Sequence, residues 1–207
     1  MLKILGRADS LNVRKVLWLC DELNLAYARE DWGRGFQSPQ LPEFISLNPN
    51  ATIPILIDKD FVLWQSNSII RYLANQYNGS TLYSQHPQTR ALIDQWIDWQ
   101  GIELNNSWAY AVMHLVRHSP VHQDLTLVEK SIQAWTKTME ILDAQLAKTQ
   151  AFITGQEFTL ADISIGLSVQ RWMLTPFEHP HLEHVQNYYH LLSQREVYLR
   201  WGNNGQN

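Results

Sequence analysis

Thr52-Ile53-Pro54-Ile55-Leu56-Ile57, Asp58-Lys59-Asp60, Phe61-Val62-Leu63-Trp64 and Gln65-Ser66-Asn67-Ser68 follow one another without a gap. Two β-rich apolar runs flank a polar Asp-Lys-Asp turn, which predicts a hairpin. Pro54 stands near the start of the first run, where a residue lacking a backbone donor is tolerated. The polar Gln-Ser-Asn-Ser stretch then leads into Ile69, Ile70, Tyr72 and Leu73, an apolar side that predicts a helix from Ser66 to Tyr77.

Two positions in this stretch each carry two readings. Ser66 is a good helix N-cap. The free amides at a helix N-terminus also bind carboxylates, and Gln65 offers a side-chain oxygen to an ammonium. The corner therefore suits an amino-acid head group. Ile53-Pro54 reads either as a plain trans proline at a strand start or as a cis bond. The cis form would turn the backbone groups of Ile53 outward, toward an extended peptide.

Upstream, Leu2 to Gly6 alternates as a short strand, and Arg7-Ala8-Asp9-Ser10 is a polar break. Val13, Val16, Leu17, Cys20 and Leu23 then recur at helical spacing over Asn12–Leu23. Leu25 to Trp32 reads as a second strand. Gly33-Arg34-Gly35, Pro39 and Pro42 mark a loop, and a short helix from Pro42 stops at Asn48-Pro49. The order strand, helix, strand, helix, strand, strand, helix requires a mixed sheet, with a crossover unit followed by the hairpin.

Downstream, Asn78-Gly79-Ser80-Thr81 breaks the composition, and no convincing strand follows. The expected organisation is an α/β domain at 1–78, a linker at 79–86 and an all-helical domain at 87–207. One long helix is expected from Pro87 to about Arg117, with Leu92, Trp96, Trp99 and Ile102 in its apolar pattern. A second runs over Leu127–Thr149, a third begins at Thr159, and shorter ones follow Pro180 and Gln194. Thr159-Leu160-Ala161-Asp162 reads as a capping box with Asp as its reciprocal acceptor, and Phe158 with Ile163 as a hydrophobic staple. Its reading is structural, since it fixes where a buried helix starts. The nine tryptophans, many in the second half, are expected mainly as core filling.

The bulk properties exclude several classes. A net charge of −4 without a Lys/Arg run gives nucleic acid no foothold. A lone cysteine, Cys20, forms neither an internal disulfide nor a cysteine metal cluster, and fits a reducing compartment. Lys3, Arg7, Asp9, Arg14 and Lys15 break any signal-peptide core. No run approaches the ~20 apolar residues that span a bilayer. The expectation is a cytoplasmic protein with neither nucleic-acid nor membrane partners. His179, His181 and His184 lie close together, but Pro180 interrupts them and no His-Glu-x-x-His pattern exists, so no metal is expected.

Taken together, Asn48 to Pro54, Leu63 to Leu73 and Thr159 to Ile163 resemble the signatures of the cytosolic glutathione transferase family. The match covers nearly the whole chain. Gly6 to Leu17 resembles bacterial members with Ser or Thr and Asn in the catalytic loop. The resemblance implies a thioredoxin-like N-terminal domain followed by a helical bundle, a homodimer, and glutathione as co-substrate. It implies that Ile53-Pro54 is cis, that Ile53 pairs with the cysteinyl part of glutathione, and that Gln65 and Ser66 hold its γ-glutamyl end. It makes Ser10 the candidate donor to the thiolate, with Asn12 the second. A donor and a helix N-terminus aimed at sulfur would stabilise an anion whose free thiol has a pKa near ~8.5.

The implied reaction is attack of that thiolate on a small apolar electrophile, held by apolar walls from the helical domain. Trp108, Tyr110, His114 and Arg117 lie on the helix expected to face the cleft. Two positions depart from the family pattern. Gln65 stands where relatives often have Glu, and Ala51 where some classes have His. Arg34 and Gln37 become the candidates for the glycine carboxylate. Two other readings remain: a glutathione-dependent disulfide or peroxide reductase on the same site, and a non-catalytic interaction protein of this fold. Cys20 falls on the apolar side of its helix, which argues against a mixed disulfide on the protein itself.

Overall fold

The computed structural model describes residues 1–202; the tail of the expected helical domain, 203–207, lies outside the described residues. The N-terminal part runs β1 (Leu2–Leu5), α1 (Leu11–Glu22), β2 (Tyr27–Glu30), α2 (Pro42–Ile45), β3 (Ile55–Asp58), β4 (Phe61–Trp64) and α3 (Ser66–Gln76). Its sheet has the order β2-β1-β3-β4. β1 pairs parallel with β2, opposite Leu5 and Glu30, and antiparallel with β3, opposite Leu5 and Ile55. β3 and β4 close the hairpin.

Strand periodicity sorts the side chains to two faces. Leu2, Ile4 and Leu56 enter the main core with α1 and α3. Leu5 and Ile55 point the other way, into a smaller core with Trp32 and Phe44. The expected strand over Thr52–Ile57 starts three residues later, at Ile55, because Pro54 has no N–H to give the ladder. The expected strand Leu25–Trp32 shortens to Tyr27–Glu30. Gly6, at φ +150°, is where β1 turns toward α1. A Cβ there would stand 2.6 Å from Val13 Cγ2, so only glycine lets the loop pass this close to the helix.

The remainder is helical: α4 (Pro87–Trp99), a π-helical segment (Gln100–Leu104), α5 (Asn105–Leu115), α6 (Leu125–Thr149), α7 (Leu160–Leu174), α8 (Glu183–Leu192) and α9 (Glu196–Trp201). The single helix expected over Pro87–Arg117 is therefore broken by a widened turn, a feature common at functional sites. Leu92 and Ile102, expected in the apolar pattern, lie exposed, while Ile93, Trp96, Ile97 and Leu104 take the inner positions. α6 starts earlier than Leu127 because the Asp124 side chain accepts from the amides of Thr126 and Leu127.

α7 is buried along nearly its whole length, its polar residues Asp162, Ser164, Ser168, Gln170 and Arg171 included, so it forms the axis of the molecule. It packs on α1, α4 and α8. Its start follows the expected box: the Thr159 amide donates to Asp162 Oδ2 at 2.8 Å. Phe158 and Ile163 both sit in the main core, which runs without a break from the sheet through α1 into α7.

Candidate active site

The loop leaving β1 ends at Ser10, the N-cap of α1. A capping serine normally spends its oxygen on an amide of the first turn. Ser10 makes no such bond, so its hydroxyl stays available at the positive end of the helix. Its carbonyl does start the helix, accepting from the Arg14 amide at 2.9 Å. Asn12, two residues on, is exposed, and its Oδ1 accepts from Ser66 Oγ at 3.3 Å. This bond joins the start of α1 to the start of α3.

Ile53-Pro54 is cis. Ile53 lies between two glycines, since a Cβ on Gly6 would meet its Cβ at 3.2 Å and one on Gly33 its Cδ1 at 3.1 Å. At the next corner Ser66 is not the N-cap expected of it. Gln65 takes that place with φ 72°, and Ser66 becomes the first helical residue. A glutamine in the left-handed region is uncommon and costs of order 1–3 kcal/mol, a cost found most often at ligand sites. Ser66 is buried and Gln65 exposed beside it.

Across from Ser10 and Asn12, a cleft of about 110 Å³ is completed by Arg7, Asn105, Trp108 and Arg117, with Leu11 and Arg171. Two of the four expected helical-domain residues therefore reach it. The other two do not. Tyr110 stacks edge-on against His122, and His114 approaches the His122 carbonyl at 2.7 Å, so both serve the turn into α6. Among the described residues, the apolar wall expected here does not form. The lining is polar and cationic, with Trp108 and Leu11 its apolar members and the Arg171 guanidinium 4.6 Å above the Trp108 ring. Arg34 and Gln37 are exposed on the loop before α2, and Arg34 lies 3.9 Å from Asp9.

Beneath the cleft runs a polar network that the sequence reading missed. Lys15 Nζ donates to Asn67 Oδ1 at 3.0 Å and to Gln100 Oε1 at 2.8 Å. Gln100, turned inward by the π-helical segment, donates to Asn105 Oδ1 at 3.0 Å and Ser168 Oγ at 2.9 Å. Asn105 in turn lines the cleft. Burial, followed by the nearby Arg171 and Arg71, pushes the Lys15 ammonium down to about 7. The one signal in the sequence is position: Arg14 and Lys15 lie inside the apolar stripe, between Val13 and Val16.

Other reactive groups are accounted for elsewhere. Burial, and then Asp21, pushes the Cys20 thiol up to about 12, so it carries no thiolate at neutral pH. His179 packs against the rings of Trp172 and Phe177. Among the described residues no His, Cys, Asp or Glu side chains group as metal ligands, and no helix is long and apolar enough to cross a membrane.

The family model for the glutathione S-transferase N-terminal domain matches residues 2–75. The chain is 34% identical over 197 residues to glutathione S-transferase GstB of Escherichia coli (strain K12), covering 94% of each chain. It is 29% identical over 170 residues to glutathione S-transferase 3 of Zea mays, covering 80% of this chain and 76% of that one. Among solved structures, the theta class glutathione S-transferase of Xanthomonas axonopodis pv. citri with glutathione bound superposes with a TM-score of 0.90. The two share 35% identity over 97% of this chain and 96% of that one.

Proposed function

This chain belongs to the glutathione S-transferase family and is a glutathione transferase, and from that premise we propose that its cleft activates glutathione as a thiolate through Ser10 and couples it to a small electrophile. The observation that carries this reading is the unengaged Ser10 hydroxyl at the N-terminus of α1, facing the cleft. A thiol with a pKa near ~8.5 is only a few per cent ionised at neutral pH. A hydroxyl hydrogen bond and the helix end together lower that value and supply the nucleophile. The sulfur forms a bond to the electrophilic carbon, the leaving group departs with its electron pair, and the thiol proton passes to solvent.

The backbone of Ile53 aligns the cysteinyl unit. Ser66, with the amides of the α3 N-terminus, takes the γ-glutamyl carboxylate, while Gln65 takes its ammonium. Arg34 and Gln37 are proposed for the glycine carboxylate. Asn12 holds Ser66 in place and stands as the second donor to sulfur. The inert Cys20 gives no support to a mixed disulfide on the protein.

The test is calorimetric titration of glutathione into wild type, Ser66→Ala and Gln65→Ala. Weakened binding in both variants supports the site; no binding at millimolar glutathione overturns it.

We also propose a homodimer in the cytoplasm. Leu92 and Ile141 are exposed on α4 and α6, and a hollow of about 340 Å³ between these helices is walled by Trp96, Trp99 and Ile141. Large exposed apolar side chains beside such a hollow mark an interaction surface. Light scattering should return twice the 24.1 kDa chain mass; a monomer at micromolar concentration would dismiss it.

A further inference from the structure

The second-substrate side of the cleft is built for negative charge. Arg7, Arg117 and Arg171 line it directly, and among the described residues no acidic side chain does. Asp9, next to the cleft, already pairs with Arg7 and lies 3.9 Å from Arg34. The Arg117 guanidinium makes no hydrogen bond or ion pair within the described residues. Arg7 Nε and Trp108 Nε1 are buried without a hydrogen-bond partner. Three guanidinium groups thus share the lining of a space of about 110 Å³, with the carboxylate of Asp9 beside it and already engaged by Arg7.

The electrostatics agree. Burial lowers the Arg117 pKa from its ordinary value, and the charges of Arg34 and Arg7 lower it further. Burial pushes Arg171 down to about 9, with Arg117 and Arg14 adding to the shift. Like charges brought together out of water raise one another's energy. An anion placed among them relieves both the repulsion and the unpaired donors. Arginine supplies the planar fork that grips a carboxylate through two hydrogen bonds.

We propose that the electrophile conjugated here carries a carboxylate, gripped by Arg117 with Arg7 and Arg171 beside it. The proposal rests on the transferase reading above and names the substrate class of that same site. Trp108 and Leu11 supply the apolar contact to the carbon skeleton, and Ser10, in the same lining, holds the sulfur. In a representative reaction, the glutathione sulfur bonds to the chlorine-bearing carbon of 4-chloro-3-nitrobenzoate. Chloride leaves with the bonding pair, the thiol proton goes to solvent, and the carboxylate remains on Arg117 throughout.

The test is calorimetric and does not depend on turnover. Glutathione, its 4-carboxy-2-nitrophenyl conjugate and the matching 4-carbamoyl conjugate are titrated into wild type, Arg117→Gln and Arg117→Lys. The conjugates have the same shape and differ in charge. The carboxylate conjugate should bind wild type at least about tenfold tighter than the amide. That ratio should fall below about threefold in Arg117→Gln and recover partly in Arg117→Lys. Equal binding of the two conjugates to wild type, or a ratio untouched by Arg117→Gln, overturns the proposal while leaving the transferase reading in place. So does an Arg117→Gln variant that loses glutathione as strongly as the carboxylate conjugate, because the arginine would then serve glutathione's own carboxylate. Failure of wild type to bind glutathione overturns the underlying reading instead.

Discussion

Lys15 Nζ lies 2.8 Å from Gln100 Oε1, a buried ammonium held by amide oxygens rather than by a carboxylate. It ties α1 to the π-helical segment and, through Asn67, to the start of α3. Its pKa in the fold is about 7, against 10.5 ordinarily. Between those values the unfolded chain keeps a proton that the folded chain has released. Stability from this group is therefore full above pH 10.5 and is lost as pH falls toward 7.

Wild type should accordingly gain up to about 1.4 kcal/mol per pH unit between pH 7 and pH 9. Arg171 and Arg14, pushed by burial to about 9 and about 10, add to the slope only toward the top of that window, and in wild type and variant alike. Lys15→Met should flatten the slope, while costing about 1–3 kcal/mol at pH 9 for the orphaned amides. Urea unfolding at pH 7, 8 and 9 reads both numbers. Parallel slopes in the two proteins would mean that Lys15 is not the group responsible.

Ser10 and Asn12 separate by what each is already doing. The Ser10 hydroxyl has no capping partner, whereas Asn12 accepts from Ser66. Hydrogen bonds to charged groups contribute about 1.5–3 kcal/mol, or about 1–2 pKa units at the sulfur. Ser10→Ala should raise the thiolate pKa of bound glutathione by that amount, as read from thiolate absorbance against pH. Asn12→Ala should raise it less and weaken binding more. The reverse ranking would move the principal donor to Asn12.

Ser66 is buried at the first turn of α3, with its hydroxyl held at 3.3 Å from Asn12 Oδ1. Ser66→Ala removes that bond, and with it the one hydroxyl proton that must turn from Asn12 to the γ-glutamyl carboxylate when glutathione binds. Glutathione Kd should rise about tenfold or more, with kcat changed far less because the sulfur end is untouched. A large fall in kcat at saturating glutathione would contradict a pure binding role.

Local chemistry made much of this legible. The Asp58-Lys59-Asp60 turn, the Pro54 position and the Thr159 box each follow from rules acting over a few residues, and each stands in the structure. The misses are tertiary. Nothing local shows that the helix after Pro87 widens at Gln100, because its cause is a set of partners far along the chain, Lys15 and Ser168. Helical spacing sent Leu92 and Ile102 inward, yet the helix turns Ile93, Trp96 and Ile97 to the core and leaves both exposed. The cationic wall was hidden for the same reason: Arg7, Arg117 and Arg171 are distant in sequence and converge only through the fold.

Asp162 carries the last expectation, and its sign is opposite to that of Lys15. It is fully buried, accepting from the Thr159 and Ile153 amides and the Tyr188 hydroxyl. Burial pushes its pKa up to about 6 despite those bonds. Between 3.8 and 6 the folded chain thus keeps a proton that the unfolded chain has lost, and stability falls as pH rises through that window. Asp162→Asn replaces an acceptor oxygen with a donor against those amides. It should cost about 2 kcal/mol at pH 7, lowering Tm by about 4–8 °C. Because the asparagine does not titrate, the variant misses the gain that wild type makes on acidification. Its deficit should widen by about 1 kcal/mol between pH 7 and pH 5. Denaturant unfolding at those two pH values decides it: a deficit that shrinks on acidification would mean Asp162 is ionised in the fold well below pH 6.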